Sequence, residues 1–161
     1  MNESVVSIVL NVIRKDDKIL MIKRTLGDYI GYFGLPGGKI EVTEHLSGSA
    51  VREALEETNI KTKFNKLLGM VSEHLLDEDK LKEHFLLFIC DMEMISDDEA
   101  FYDEEILKWF PVNNLDKFEG EIIPSDLIMI KNFIINKACN YFECVLEKRD
   151  NKYSIVSTKY I

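Results

Sequence analysis

Three glutamates between residues 53 and 57 are the residues whose type and spacing most directly suggest chemistry. Glu53, Glu56 and Glu57 stand at i, i+3 and i+4, so a helix over this segment places the three carboxylates on one face. Arg52 lies beside them and can pair with Glu56 at i+4. Like charges at this spacing destabilise a helix by roughly 0.2–0.5 kcal/mol per pair. The cluster is therefore either a solvated acidic face or the site of a cation that relieves the repulsion.

The residues before the helix favour a cation site. The helix follows Gly37-Gly38, where backbone carbonyls can turn inward because glycine tolerates unusual φ and ψ angles. Glu41 and Glu44 come from the same loop toward the same region. Ligands that are all oxygen atoms, drawn from a loop and a helix, are the kind that Mg²⁺ or Mn²⁺ prefers.

The segment from Gly38 to Ile60 resembles the Nudix box. That pattern is a glycine, five residues, a glutamate, seven residues, and then Arg-Glu-apolar-x-Glu-Glu-x-Gly-apolar. The corresponding positions here are Gly38, Glu44, Arg52, Glu53, Ala54, Glu56, Glu57, Asn59 and Ile60. The one departure is Asn59, where the family has glycine. We expect that residue to end the helix in a left-handed conformation, for which asparagine is the next best residue.

The flanking segments extend the resemblance, which is to MutT-like nucleotide pyrophosphohydrolases of the family. Leu35-Pro36-Gly37-Gly38 precedes the box as it does in the family, and Leu107 to Pro111 resembles the family's late strand. The resemblance implies an enzyme that hydrolyses a pyrophosphate bond in a nucleoside diphosphate linked to another group. It implies a Mg²⁺ cofactor, with Mn²⁺ as the alternative, that neutralises phosphate oxygens and acidifies a water molecule.

The resemblance also implies roles for individual residues of the box. Glu56, Glu57 and the carbonyl of Gly38 or Gly37 are expected metal ligands, and Glu53 is a ligand or the base that receives the proton from water. Glu44 is an orienting residue or an alternative base. Arg52 is expected to fix a glutamate by a bidentate pair.

Residues outside the box are candidates for contacts with substrate or metal. Arg24 and Lys39 could meet phosphates or be ordinary surface charges, and Tyr29 and Phe33 could stack on a base. For Phe33, core packing is the competing interpretation. A late acidic loop offers a further metal ligand, or is simply solvated, through Asp103, Glu104 or Glu105.

The resemblance leaves the substrate open, with a nucleoside triphosphate favoured over ADP-ribose or another NDP-sugar. Family members that act on ADP-ribose often carry a proline a short distance past the box, whereas Glu73 to Asp77 contains none. The chain also lacks the additional N-terminal strands that many of those enzymes have. A non-catalytic nucleotide-binding module and a capped-RNA hydrolase are the remaining alternatives, and the four box glutamates argue against the first.

The elements that must position these residues are predicted from apolar periodicity. Strands dominate the first two-thirds, helices are inserted, and the last twenty residues form a hairpin that turns at Asp150-Asn151. Besides a helix at about 46–58 and another after Pro124, the predicted elements are strands at Val5–Ile13, Ile19–Ile22, Phe64–Val71, His84–Met92 and Ile106–Phe110.

The predicted fold class is α/β. We expect a Nudix-type α/β/α sandwich with a mixed sheet, plus a C-terminal helix and hairpin. The predicted division is a Nudix domain over 1–140 and a hairpin extension over 141–161. The extension packs on the same domain or on a partner chain, which would make a homodimer.

Composition excludes several classes of protein. The chain has 161 residues, of which 46% are apolar, enough for one domain with a core. Its net charge of -9 argues against a broad nucleic-acid footprint and against a polybasic membrane anchor. The resemblance implies a small nucleotide as the partner, and the charge argues against nucleic acid and a membrane as partners. The absence of a signal-peptide pattern and the three cysteines in apolar segments predict a cytoplasmic setting.

Overall fold

A mixed β-sheet organises the chain, and the computed structural model describes residues 4–101, 103 and 105–161 of it. The described residues form nine strands in one sheet, in the order β3-β2-β1-β6-β5-β8-β9, with β4 paired to β1 and β7 paired to β2. The strands are β1 (Val6–Lys15), β2 (Lys18–Lys23), β3 (Phe33–Gly34), β4 (Gly37–Lys39), β5 (Lys61–Asp77), β6 (Lys80–Ser96), β7 (Leu107–Pro111), β8 (Tyr141–Arg149) and β9 (Lys152–Tyr160). The pairs β1–β6 and β5–β8 are parallel and the other pairs are antiparallel. The predicted mixed sheet is confirmed.

The longest hairpin, β5–β6, extends beyond the predicted strands at both ends. Its turn is Glu78-Asp79, and both residues have positive φ (47° and 67°), as a tight two-residue hairpin turn requires. The register between β5 and β6 shifts at four places along β5, one of them near its end. These shifts act as bulges, which bend the strand and increase its twist. The apolar pattern alone predicts only the inner part of each strand, because polar residues fill the outer parts.

Side chains alternate across the sheet and build two separate cores. On one face of β1, Val9 and Ile13 pack with Ala50 and Ala54 of helix α1 (Leu46–Thr58). On the other face, Val12 joins a larger core with residues of β5, β6 and β8 and of helix α2 (Pro124–Met129). The sheet therefore separates α1 from α2.

Helix α1 is fastened to the sheet by a buried asparagine. Asn11 of β1 is fully buried and its Nδ2 donates to the carbonyl oxygen of Ala50 at 2.9 Å. The helix ends at Asn59, whose φ of 55° is left-handed and whose backbone N–H donates to the carbonyl of Leu55. The predicted left-handed end of the helix is confirmed.

The C-terminal part of the chain completes the large core and extends the sheet. Helix α2 begins with Pro124 in its first turn and continues as one π-helical segment over Ile130–Ile135. Strand β8 then pairs with β5, and β9 carries Tyr153, whose ring packs 4.4 Å from that of Tyr29. The hydroxyl of Tyr153 accepts the backbone N–H of Tyr29 at 2.9 Å. The hairpin therefore braces the loop between β2 and β3, while the homodimer stays a prediction.

No helix in the described part of the chain is both long enough and apolar enough to span a bilayer.

Asn59 offers a test of the helix end that separates backbone conformation from side-chain bonding. Its Nδ2 donates to the carbonyl of Glu99, and both Asn59→Gly and Asn59→Ala remove that bond. Only alanine also meets the steric penalty of a positive φ. We expect the alanine variant to be less stable than the glycine variant by about 1 kcal/mol in urea unfolding. Equal stabilities would contradict the left-handed assignment.

Candidate active site

The site is built where β4 pairs closely with β1. A Cβ added to Gly37 would lie 1.9 Å from the carbonyl oxygen of Val9, so no larger residue fits without moving backbone. This close approach brings the backbone N–H of Gly37 to α1, where it donates to Oε2 of Glu57 at 2.8 Å. The first glutamate of the site is thus held by the strand itself.

Gly38 gives the second contact between β4 and the helix. A Cβ at Gly38 would lie 2.5 Å from the carboxylate of Glu53, so this carboxylate occupies the space that a side chain would need. The structure therefore brings Gly38, Glu53 and Glu57 together, as the resemblance implies they should be.

Arg52 connects the remaining acidic residues. Its guanidinium makes a bidentate pair with Glu44, with N···O distances of 2.6 and 2.9 Å. It also donates to Glu53 at 2.7 Å and to Glu56 at 3.1 Å. The predicted pairing with Glu56 is confirmed, but the closer bonds go to Glu44 and Glu53. Arg52 thus neutralises part of the repulsion along the acidic face.

The carboxylates differ sharply in their affinity for protons. The hydrogen bonds from Arg52 lower the pKa of Glu44 from 4.5 to about 2. Burial raises the pKa of Glu57 from 4.5 to about 7, and the charges of Glu53 and Glu56 add to the rise. Glu44 is therefore a weak base as it is placed here, and the role of orienting Arg52 suits it better.

The oxygen atoms of the site suit a hard divalent cation, although they are not arranged as a complete ligand shell around one position. Among the described residues, no three His, Cys, Asp or Glu side chains form a ready group of metal ligands. Arg52 holds Glu53 and Glu56, and Gly37 holds Glu57. The carboxylates nevertheless share one helix face with oxygen as the only ligand atom. A buried glutamate with a raised pKa is also what a bound cation would stabilise in its charged form.

A cavity of about 360 Å³ lies beside Gly37 and Gly38, and Glu53, Glu56 and Glu57 are not among its lining residues. This volume is near the lower end of the range for small-molecule sites. One wall is the backbone of Gly37 and Gly38, and the others come from β1, β5, β6, the loop between β2 and β3, and α2. The lining residues are Val6, Ile8, Leu10, Arg24, Gly27, Asp28, Tyr29, Leu35, Gly37, Gly38, Lys39, Glu73, Glu83, Phe85, Leu87, Ile123, Ser125 and Asp126.

The cavity contains two buried acids that the sequence analysis did not single out. Glu73 is 2% exposed and Asp126 is 4% exposed. Oε1 of Glu73 accepts the hydroxyl of Tyr29 at 2.7 Å, and Oδ2 of Asp126 accepts the backbone N–H of Leu35 at 2.7 Å. Burial raises the pKa of both groups, to about 7 for Asp126.

The four predicted substrate contacts fall in different places. Arg24, Lys39 and Tyr29 line the cavity. Arg24 lies close enough to Glu57 and to Asp126 to lower the pKa of both, so it stands between the glutamates and the buried acids. Phe33 is not brought to the cavity: it is 6% exposed and packs edge-on against Phe110 in the large core. Tyr29 packs on Tyr153 and has its hydroxyl committed to Glu73.

The late acidic loop lies outside the cavity lining in its described part. Oδ1 of Asp103 accepts the backbone N–H of Glu105 at 3.1 Å, which stabilises the local turn. Glu104 falls outside the described residues. A role for this loop as a metal ligand stays a prediction.

Comparison with known proteins agrees with the geometry. The family model described as the NUDIX domain matches residues 2–130. An ADP-ribose pyrophosphatase of Methanocaldococcus jannaschii is 36% identical over 124 residues, which cover 75% of this chain and 72% of that protein. Nudix hydrolase 6 of Arabidopsis thaliana is 32% identical over 108 residues, 65% of this chain and 37% of that longer protein.

Solved structures show the same fold. The mutator MutT protein from Bacillus halodurans superposes with a TM-score of 0.69 at 21% identity, over 96% of each chain. A MutT NUDIX hydrolase from Burkholderia pseudomallei gives a TM-score of 0.66 at 25% identity, over 80% of this chain and 98% of the other.

The two glycines of β4 predict different outcomes for the same substitution. Gly37→Ala drives a Cβ into the backbone of β1, and we expect it to cost about 3 kcal/mol of unfolding free energy. Gly38→Ala meets only the end of the Glu53 side chain, which can turn away, so about 1 kcal/mol is expected. Urea unfolding measures both. A larger loss for Gly38→Ala would contradict the assigned contacts.

Asp126 predicts a dependence of stability on pH. Its pKa is raised from 3.8 to about 7 in the folded protein, so the folded state holds a proton that the unfolded state releases. Stability is therefore lost as pH rises from about 4 through about 7. Asp126→Asn keeps an acceptor for Leu35 and does not titrate. The free energy of unfolding of the variant, measured relative to that of the parent protein, should rise by about 1–3 kcal/mol between pH 5 and pH 8. An advantage that is constant with pH would refute the raised pKa.

Proposed function

This chain belongs to the Nudix family of hydrolases, which act on pyrophosphate bonds, and from that premise we propose that it hydrolyses a (deoxy)nucleoside triphosphate with Mg²⁺ as cofactor. The observation that carries the proposal is the position of the box glutamates. Glu53 and Glu57 contact the two glycines that form one wall of the cavity. A nucleotide in the cavity would therefore present its phosphates to the acidic face of α1.

Glu53, Glu56, Glu57 and the carbonyl of Gly38 are the residues that would hold the cation. When bound, Mg²⁺ supplies neutralisation of the phosphate oxygens and acidifies water, so that an anionic substrate can approach an acidic surface. Manganese offers the same hard, oxygen-binding chemistry.

Each of the remaining site residues has a role that follows from its contacts. Arg52 keeps Glu53 and Glu56 oriented, and Glu44 in turn fixes Arg52 from the other side. Because two nitrogens of Arg52 hold Glu44 ionised and only one bonds to Glu53, Glu53 is preferred to Glu44 as the group that receives a proton from water, or it serves as a ligand. Arg24 and Lys39 line the cavity beside Gly37 and Gly38, where they can pair with phosphate oxygens.

ADP-ribose is the second candidate substrate. It is favoured by one observation, the 36% identity to an ADP-ribose pyrophosphatase that this chain covers over 72% of its length. Both candidates contain a pyrophosphate bond next to a nucleoside, so the same glutamates would serve either one.

Product analysis distinguishes the two substrates. The purified protein with Mg²⁺ is offered the nucleoside triphosphates, ADP-ribose and other NDP-sugars in parallel. Release of nucleoside monophosphate and pyrophosphate from a triphosphate, with the highest kcat/KM of the panel, supports the proposal. A higher kcat/KM for ADP-ribose, yielding AMP and ribose 5-phosphate, would move the assignment to the second candidate.

Glu57→Gln tests the metal assignment. Gln keeps an oxygen that can accept the N–H of Gly37 but loses the charge, so we expect turnover to fall roughly 100-fold or more while the melting temperature without metal is maintained. Mg²⁺ should raise the melting temperature of the parent protein and not that of the variant. Glu93→Gln, at an exposed position on β6, is the matched control and should behave like the parent. Full turnover in Glu57→Gln would refute the ligand role.

A further inference from the structure

The carboxyl of Glu73 is only half satisfied by the protein. It lies on β5 between Val71 and Leu75, both fully buried, so it points to the same side of the sheet as the large core. Its Oε1 accepts the hydroxyl of Tyr29, and the Ser125 hydroxyl lies near enough to the carboxyl to lower its pKa, whereas the buried Oε2 has no hydrogen-bond partner within 3.5 Å among the described residues. A buried acceptor without a partner costs free energy, and Glu73 lines the cavity. A ligand that donates to Oε2 would remove this cost.

Two further acids lie near Glu73, together with the Ser125 hydroxyl. Asp126, from α2, is near enough for the charge of Glu73 to raise its pKa, and it lines the same cavity. Asp28 is a third lining acid, and it is paired with Lys82 at 2.5 Å. Of the two basic lining residues, Lys39 follows Gly38 directly, and Arg24 lies near enough to both Glu57 and Asp126 to lower their pKa values. This part of the cavity therefore suits a ligand edge that carries N–H donors.

The rest of the lining is apolar and suits a flat, uncharged ring. Two neighbouring parallel strands supply it, and Leu35 and Ile123 add to it from the loop after β3 and from the start of α2. The strand residues are Val6, Ile8 and Leu10 on β1 and Phe85 and Leu87 on β6. Apolar walls with a few polar groups that fix orientation are the usual composition of a small-molecule site.

We propose that Glu73, assisted by Asp126, selects nucleotides whose base carries an exocyclic amino group, namely adenine, guanine or cytosine. The amino group donates to Oε2 of Glu73 and the ring lies between the apolar walls. This inference rests on the proposed function, because it assumes that the cavity holds the base of the nucleotide. A base with a carbonyl group in place of the amino group, as in IMP against AMP or UMP against CMP, sets an oxygen against the carboxylate, which is repulsive. A base with only hydrogen at that position, as in IMP against GMP, leaves Oε2 unpaired.

Binding of nucleoside monophosphates tests the proposal without depending on hydrolysis, because these compounds have no anhydride bond. The matched pairs are AMP with IMP, GMP with IMP, and CMP with UMP, each titrated into the full chain and followed by NMR. We expect the amino-bearing member of at least one pair to bind roughly ten- to a hundredfold more tightly. The tightest ligand among AMP, GMP and CMP then identifies the base. Equal affinities in every pair, or no saturable binding, would overturn the proposal.

Glu73→Gln assigns the preference to this residue. The glutamine oxygen can still accept from Tyr29, and its NH₂ group takes the place of Oε2 as a donor. The preference for the amino-bearing base should disappear or reverse, because a carbonyl now meets a donor. Glu93→Gln is the control and should keep the preference of the parent. A preference that survives unchanged in Glu73→Gln would exclude Glu73 as the selecting residue.

A second variant covers the case in which Glu73→Gln does not fold. A separate measurement distinguishes failure of this inference from failure of the proposed function. If Glu73→Gln does not melt cooperatively, Asp126→Asn replaces it, with weakening of the same preference as the expected result and an unchanged preference as the result that overturns the proposal. Hydrolysis is measured on separate samples. Absence of hydrolysis together with an amino preference would reject the enzyme assignment and keep the base site, whereas hydrolysis without any preference would do the reverse.

Discussion

The guanidinium of Arg52 is the interaction on which the acidic face of α1 depends. It neutralises carboxylates that would otherwise repel one another, and it does so with bonds of 2.6–3.1 Å to Glu44, Glu53 and Glu56. Glu57 is not among the hydrogen-bond partners of Arg52 in the described part of the chain and is held by the N–H of Gly37 instead. Both anchors require α1 to lie close against β4, and the buried bond from Asn11 to the helix backbone secures that position.

The sheet separates the two kinds of chemistry, and β4 connects them. Helix α1 packs on one face, while the cavity and its buried acids lie with the large core on the other. Gly37 and Gly38 contact the glutamates of the helix and also line the cavity. Because Gly37 and Gly38 have no side chains, only their backbone separates a ligand in the cavity from the glutamates. Arg24, which influences the pKa of both Glu57 and Asp126, adds positive charge between them.

Features with local signals were predictable from the sequence, and features made by strand pairing were not. The bounds of α1, its left-handed end at Asn59 and the bond from Arg52 to Glu56 follow from spacing within a few residues, and the structure agrees. Glu73 and Asp126 are far apart in the chain and meet only because β5 and α2 face the same cavity. The one available signal was the alternation on β5, which places Glu73 at a core-facing position where a charged residue is unusual. Phe33 is the opposite case, a residue predicted for the site that the structure does not bring there. In sequence, an aromatic residue near a glycine loop suits stacking on a base and packing in the core equally well.

In the proposed complex, the phosphates of a nucleotide lie against the glutamates of α1 while its base lies beside Glu73. A crystal structure of the protein with Mn²⁺ and a non-hydrolysable nucleoside triphosphate tests this most directly. The account predicts an anomalous manganese peak bounded by Glu53, Glu56 and Glu57, with an amino group of the base within hydrogen-bond distance of Oε2 of Glu73. Manganese bound elsewhere, or a base lying outside the cavity, would contradict it.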